Sequence, residues 1–216
     1  MRIQLFLSLA AIVFFSSCQN KNQQKLPFLG NKEAVERLEN GKTVIDTVYQ
    51  TIPAFSFINQ DSVTISNKDF DSTIYVADFF FTSCASICPI MHQHMREVYN
   101  HFKSNSRVKF LSHSIDSKHD TPWVLKNYAE KLGVTDNQWQ FVCGSQEAIY
   151  GIATNYLVSA YDDASDPQGR VHQGWFILVD LNKHIRGAYD GTKKEQVDKM
   201  VKDMEILLAE CQGKCH

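Results

Sequence analysis

The chain has 216 residues, with 22 Lys and Arg against 24 Asp and Glu, a formal charge of −2 and 44% hydrophobic side chains. That balance suits one globular domain with a sizeable core. It lacks the clustered basic face that a nucleic-acid partner requires.

In chain order, Arg2 followed by the apolar run Ile3 to Phe15 and the small pair Ser16, Ser17 reads as a secretory signal over residues 1–17. The run is shorter than the roughly 20 apolar residues of a spanning helix, and polar residues 19–25 follow it at once. Cys18 stands at the end of the apolar region, where Phe-Ser-Ser-Cys resembles the lipobox of bacterial lipoproteins. The expectation is an acylated Cys18, a membrane held through that lipid, and a chain facing the periplasm. Residues 18–45 then form a polar tether ending in a short amphipathic stretch, residues 46–210 the folded domain, and residues 211–216 a tail containing Cys and His.

Residues 52–58 alternate as an edge strand would, with Pro53 at its entry. Residues 74–81 are almost continuously aromatic and β-branched, the pattern of a central strand covered on both faces. Cys88-Pro89 opens a helix to about Phe102, with Pro where its missing N–H does no harm. Strands are expected at 108–114, 140–143, 175–180 and, after the turn at Asn182-Lys183, at 185–189. Helices are expected at 121–132 and 146–155. A last helix carries Val197, Met200, Val201, Met204, Leu207, Leu208 and Cys211 on one stripe. This order gives an α/β fold with a mixed central sheet flanked by helices and an N-terminal edge-strand extension. Functional residues of such sheets gather at the carboxyl ends of strands, where Cys84, His113 and Asp116 fall.

Export places the remaining cysteines in an oxidising compartment. They are the close pair Cys84/Cys88, the close pair Cys211/Cys215 and the single Cys143. With Cys84 at a strand end and Cys88 in a first helical turn, two sulfurs can point to one side, and positive helix N-terminal charge favours thiolate. Soft sulfur selects copper(I), and two thiolates with one imidazole suit copper in both oxidation states. As an inert staple, so short a loop would stabilise little.

The segment Phe79 to Pro89, with C-x-x-x-C-P after a buried aromatic strand, resembles the Sco/SenC family. Ser114-Ile115-Asp116 with Asp120-Thr121-Pro122, and Trp139 to Glu147, are similar to the family's next blocks. The resemblance runs over roughly residues 50–210. It implies a thioredoxin-like fold, copper(I)/copper(II) held by Cys84, Cys88 and His172, a Cys84–Cys88 disulfide when oxidised, and a partner in the copper-centre subunit of cytochrome c oxidase or another copper protein. The activity implied is copper delivery to the binuclear copper centre, or reduction of that centre's cysteines. The competing expectation is a general periplasmic thiol-disulfide oxidoreductase or a peroxidase-like enzyme, in which Cys84 and Cys88 are the catalytic dithiol. Against it, Gln173-Gly174 lacks the proline that faces the dithiol in thioredoxins.

Asp78, six residues before Cys84, is either a buried acid that exchanges protons with the second cysteine or a carboxylate paired at a strand edge. His113 borders the site without binding metal, Asp116 supports it, and Asp120 belongs to a helix start. In Met91-His92-Gln93-His94-Met95 the two histidines point to different helix faces, so a partly exposed surface is expected. Cys143 reads as a small core residue. Ala85 stands where the family often has proline, which loosens the loop. The tail Cys211 to His216 reads as a disulfide or accessory metal site.

Overall fold

The computed structural model describes residues 25–163 and 170–212, and of residues 170–172 and 212 the backbone alone. The expectations for the signal, Cys18, Cys215 and His216 lie outside these residues.

The chain opens with a hairpin, β1 (Lys32–Glu39) and β2 (Lys42–Tyr49). Its turn is Asn40-Gly41, both at positive φ (53° and 76°), the primed turn whose twist matches the strands. There follow β3 (Ser56–Asn59), β4 (Thr64–Ser66), a short 3-10 turn at Asn67–Phe70 and β5 (Ile74–Phe80). Then come α1 (Cys88–Phe102), β6 (Val108–Ser114), α2 (Pro122–Lys131), β7 (Trp139–Cys143) and α3 (Gln146–Asn155). The chain finishes with β8 (Ala160–Asp162), β9 (Arg170–His172), β10 (Trp175–Val179), β11 (Ile185–Asp190) and α4 (Lys194–Gln212).

Seven strands form one sheet in the order β11-β10-β5-β6-β7-β3-β4. β5, β6 and β7 are parallel; β10, β11, β3 and β4 join antiparallel, which makes the sheet mixed. Every residue of β5 is buried, as its unbroken apolar run requires at the sheet centre. α1 and α2 meet over one face, where His92 touches Tyr128. On the other face Tyr156, closing α3, packs edge-on to Tyr75 and Phe79. Among the described residues no helix is long and apolar enough to cross a membrane.

Two expectations are corrected. The strand at 52–58 is shorter, and β3 lies inside the sheet between β7 and β4, because β4 takes the edge. The stretch expected to run as a tether to residue 45 instead forms the β1–β2 hairpin across that boundary, exposed from Lys32 to Thr47. Cys211 lies on α4 with the apolar stripe expected of the last helix, 7% exposed, and the helix runs to Gln212.

The sheet has two poles. β5 runs towards Cys84, and β10 runs back, with Val179 beside Tyr75 and Ile177 beside Ala77. The start of β10 therefore shares the pole of Cys84, and the β10–β11 turn occupies the other. The N-terminal segment docks at that second pole: Leu29 bridges Ile185 and Thr51 bridges His184. There the buried Arg186 donates to Leu26 O (2.7 Å), Pro27 O (3.1 Å), Asp180 (3.1 Å) and Glu210 (2.8 Å). Glu210, near the end of α4, also accepts from the Leu26 amide at 2.8 Å.

Candidate metal centre

β5 delivers the chain to Phe81-Thr82-Ser83-Cys84, and a turn closes with the Cys84 amide donating to Phe81 O at 3.1 Å. Asp120 fastens this loop: it accepts from the Thr82 amide at 3.0 Å, from the Thr82 hydroxyl and from the Ser114 hydroxyl. Asp120 is thus a brace for the dithiol loop, and the cap of α2 is Thr121, whose side chain accepts from the Val124 amide. This corrects the helix-start reading of Asp120.

Cys88 is the first residue of α1, with Pro89 behind it and no acidic residue in the first turn. Cys84 and Cys88 are thiols, 7% and 1% exposed. Cys88 is pushed far above the ordinary thiol range, first by its hydrogen bond to Cys84 and then by burial, with the negative charge of Asp78 adding to the effect. Ser86 Oγ lies 3.5 Å from Cys84 Sγ. A cleft of about 380 Å³ opens onto Cys84 between Pro89, Arg96, Tyr128 and Lys131, with two cations at its rim. Exposed Trp123 lies in the adjoining hollow beside Thr82.

Beneath the dithiol a buried polar chain crosses from β7 to α2. Trp139 Nε1 donates to Ser112 Oγ at 2.9 Å, and Ser112 donates to Asp78 Oδ1. Asp78 Oδ2 is 3.0 Å from His92 Nε2, and His92 Nδ1 is 2.7 Å from the Tyr128 hydroxyl. One tautomer satisfies both ring nitrogens: Nε2–H donates to the carboxylate and Nδ1 accepts from the phenol. Burial raises the Tyr128 hydroxyl far above its ordinary value, with the negative charges of Cys88 and Asp78 next in effect.

Of the two readings of Asp78, the strand-edge one is excluded, because the residue is 0% exposed in the central strand. The surface reading of His92 is also overturned: it is 1% exposed, one helical turn beyond Cys88 on the stripe Cys88, Met91, His92, Met95. His94 lies off that stripe, half-buried, with Nδ1 2.8 Å from Gly191 O. His113 does not border the dithiol. It lies on the opposite face of the sheet, stacked on Phe79 and edge-on to Phe57, and burial lowers its pKa to about 4. Its Nδ1 is 3.3 Å from Asp78 O. Asp116 accepts from the Lys118 and His119 amides and lies 2.9 Å from His119 Nδ1. Cys143, half-buried at the end of β7, packs against the core with its sulfur 3.7 Å from Ile58 O.

The backbone of His172 closes β9, paired with Ala160 of β8, three residues before β10 begins at the dithiol pole. The next turn meets α1 directly: a Cβ on Gly174 would lie 3.4 Å from both Ile87 Cδ1 and Met91 Sδ. Among the described residues no three His, Cys, Asp or Glu side chains are grouped to hold a metal. The Cys84–Cys88 pair supplies two soft donors, a set that fits copper(I).

A family model described as SCO1/SenC matches residues 45–209. The crystal structure of a SCO1/SenC family lipoprotein from Bacillus anthracis str. Ames is 28% identical, with a TM-score of 0.67 over 74% of this chain and 95% of that one. BsSco, described as a member of the Sco family of cytochrome c oxidase assembly proteins with a disulfide switch, is 29% identical, with a TM-score of 0.63 over 72% and 92%. Bradyrhizobium japonicum ScoI with copper bound, 20% identical, shares the fold at a TM-score of 0.61 over 73% and 99%. With the family's model covering the sheet, the helices and the dithiol loop together, this chain belongs to the SCO1/SenC family and has its thioredoxin-like fold.

Proposed function

We propose that this chain is a copper-binding thiol protein for assembly of the binuclear copper centre of cytochrome c oxidase, held on the periplasmic side of a membrane by acylated Cys18. Copper is its cargo, bound by Cys84, Cys88 and His172. The observation that carries this reading is the hydrogen-bonded Cys84–Cys88 pair at the opening of α1, at the sheet pole where the backbone leaves His172. Family membership supports it, as does the likeness to BsSco, a Sco-family cytochrome c oxidase assembly protein.

The residues divide the work simply. Cys84 and Cys88 offer thiolates once their protons leave, His172 would add the nitrogen donor, and Asp120 holds the loop that carries Cys84. Passing two electrons and two protons to a partner's disulfide, which becomes two thiols, leaves the Cys84–Cys88 disulfide, which no longer offers thiolates. The test is copper(I) titration of the reduced full chain against a competing chelator. One equivalent should bind the native chain and none the Cys84→Ser/Cys88→Ser variant; full binding by that variant would sink the assignment.

A further inference from the structure

The β1–β2 hairpin is exposed almost throughout, so its two faces can be compared without reference to a core. The strand period of two and the register Lys32↔Tyr49 to Glu39↔Lys42 sort its side chains. One face carries Glu33, Arg37, Glu39, Lys42 and Asp46 together with Val35, Val44 and Val48, which are 40–53% exposed, and Arg37 is placed 3.8 Å from both Glu39 and Asp46. The other carries Ala34, Leu38, Ile45 and Tyr49 with two threonines, and its charges are limited to Lys32 and Glu36. Leu38 and Ile45, diagonal neighbours on this second face, are 77% and 71% exposed, more than any other large aliphatic side chain described. None of the described residues covers them.

The hairpin's place says what does. Its base, where the Gln50 amide donates to Asn31 O and Thr51 bridges His184, is at the pole opposite the dithiol. The chain leading back to Cys18 enters at this same pole, fixed by Arg186 at Leu26 and Pro27. From Cys18 to Leu26 the backbone reaches at most about 29 Å, and each hairpin strand is about 26 Å long. An anchor at Cys18 therefore keeps the hairpin within contact distance of the surface that holds it. The face with two of the hairpin's seven charges and its two most exposed aliphatic side chains is the one suited to the interface of a lipid layer, where binding grows with buried apolar area.

We infer that the Ala34, Leu38, Ile45 face of the hairpin docks on the lipid surface to which the chain is anchored, so that the Cys84–Cys88 pole is turned away from it. This rests on the acylation of Cys18 proposed above. Attachment belongs to the acyl chains and orientation to the hairpin.

The test uses the full-length acylated chain in phosphatidylcholine vesicles with brominated acyl chains, comparing Ile45→Trp with Val35→Trp on the charged face. The fluorescence added by Ile45→Trp should shift to the blue and be quenched, and that added by Val35→Trp should be quenched much less. Mass measurement of the N-terminal peptide on the same sample reports acylation separately. An acylated chain with no quenching, or with equal quenching at both positions, overturns the docking face and leaves the anchor standing. A chain without acyl mass overturns the anchor, and the quenching of Ile45→Trp then still decides the docking face. A blue shift that follows protein concentration and ignores the brominated lipid assigns the face to a second copy and also overturns the inference.

Discussion

His92 and Asp78 face each other across the floor of the dithiol site, Nε2 to Oδ2 at 3.0 Å, with side chains 1% and 0% exposed. The contact joins the first turns of α1 to the central strand, so the helix that begins with Cys88 is pinned to β5 one turn below that cysteine. A buried polar group deprived of its partner costs far more than the pair contributes intact.

His92→Leu should therefore lower the stability of the reduced protein by about 3 kcal/mol, because it strands Asp78 and the Tyr128 hydroxyl. Asp78→Asn should cost less in the His92→Leu background than in the native one. Urea unfolding of the two single variants and the double variant measures this coupling, and strictly additive losses would show that the pair is incidental.

The buried His113 predicts an acid limb. Its folded pKa, lowered by burial to about 4 from an ordinary 6.5, means that the unfolded chain takes up the proton first. Its contribution is complete above pH 6.5 and is withdrawn as pH falls towards 4, about 3 kcal/mol in all. In His113→Phe, which keeps a ring among Phe55, Phe57 and Phe79, the stability profile between pH 7 and 4 should be flatter than the native one. Parallel profiles would refute the assignment.

Asp120→Ala should open the dithiol loop by removing the acceptor of the Thr82 amide and hydroxyl and of Ser114. Hydrogen exchange at the Thr82 amide should accelerate and global stability fall by about 2 kcal/mol. Unchanged exchange at Thr82 would mean that the turn at Phe81–Cys84 holds the loop unaided.

His172→Ala separates the copper reading from general disulfide exchange. The harder copper(II) ion gains more from a nitrogen donor than copper(I), which is content with two sulfurs. Copper(II) affinity should drop sharply and the sulfur-to-copper absorption shift, with copper(I) binding and turnover of a model disulfide nearly kept. Intact copper(II) binding together with lost turnover would favour the oxidoreductase.

The sheet centre was legible because continuous apolar runs admit few alternatives: β5, β6 and β10 lie where their composition puts them, as do α1 and α3. The hairpin was not, although Asn40-Gly41 signals it, because both faces are wet and show no alternation of apolar and polar residues. His92 was misplaced by weighing it against His94 alone; its spacing of four from Cys88 put it on the buried stripe. The part of Asp120 depends on Thr82, 38 residues away, a pairing that no local pattern encodes. His113 was assigned to the dithiol by its nearness to a strand end, and the alternation of β6 sends it to the other face.

Arg186 binds the arriving N-terminal chain, the β10–β11 turn and the end of α4 with one guanidinium. Any pull on the N-terminal end is thus received in shear by β11 and the last turns of α4, and is spread across the sheet before it reaches β5. The same arrangement sets where a shortened chain can begin: starting after Pro27 removes two of the carbonyls on Arg186 and exposes that shear joint.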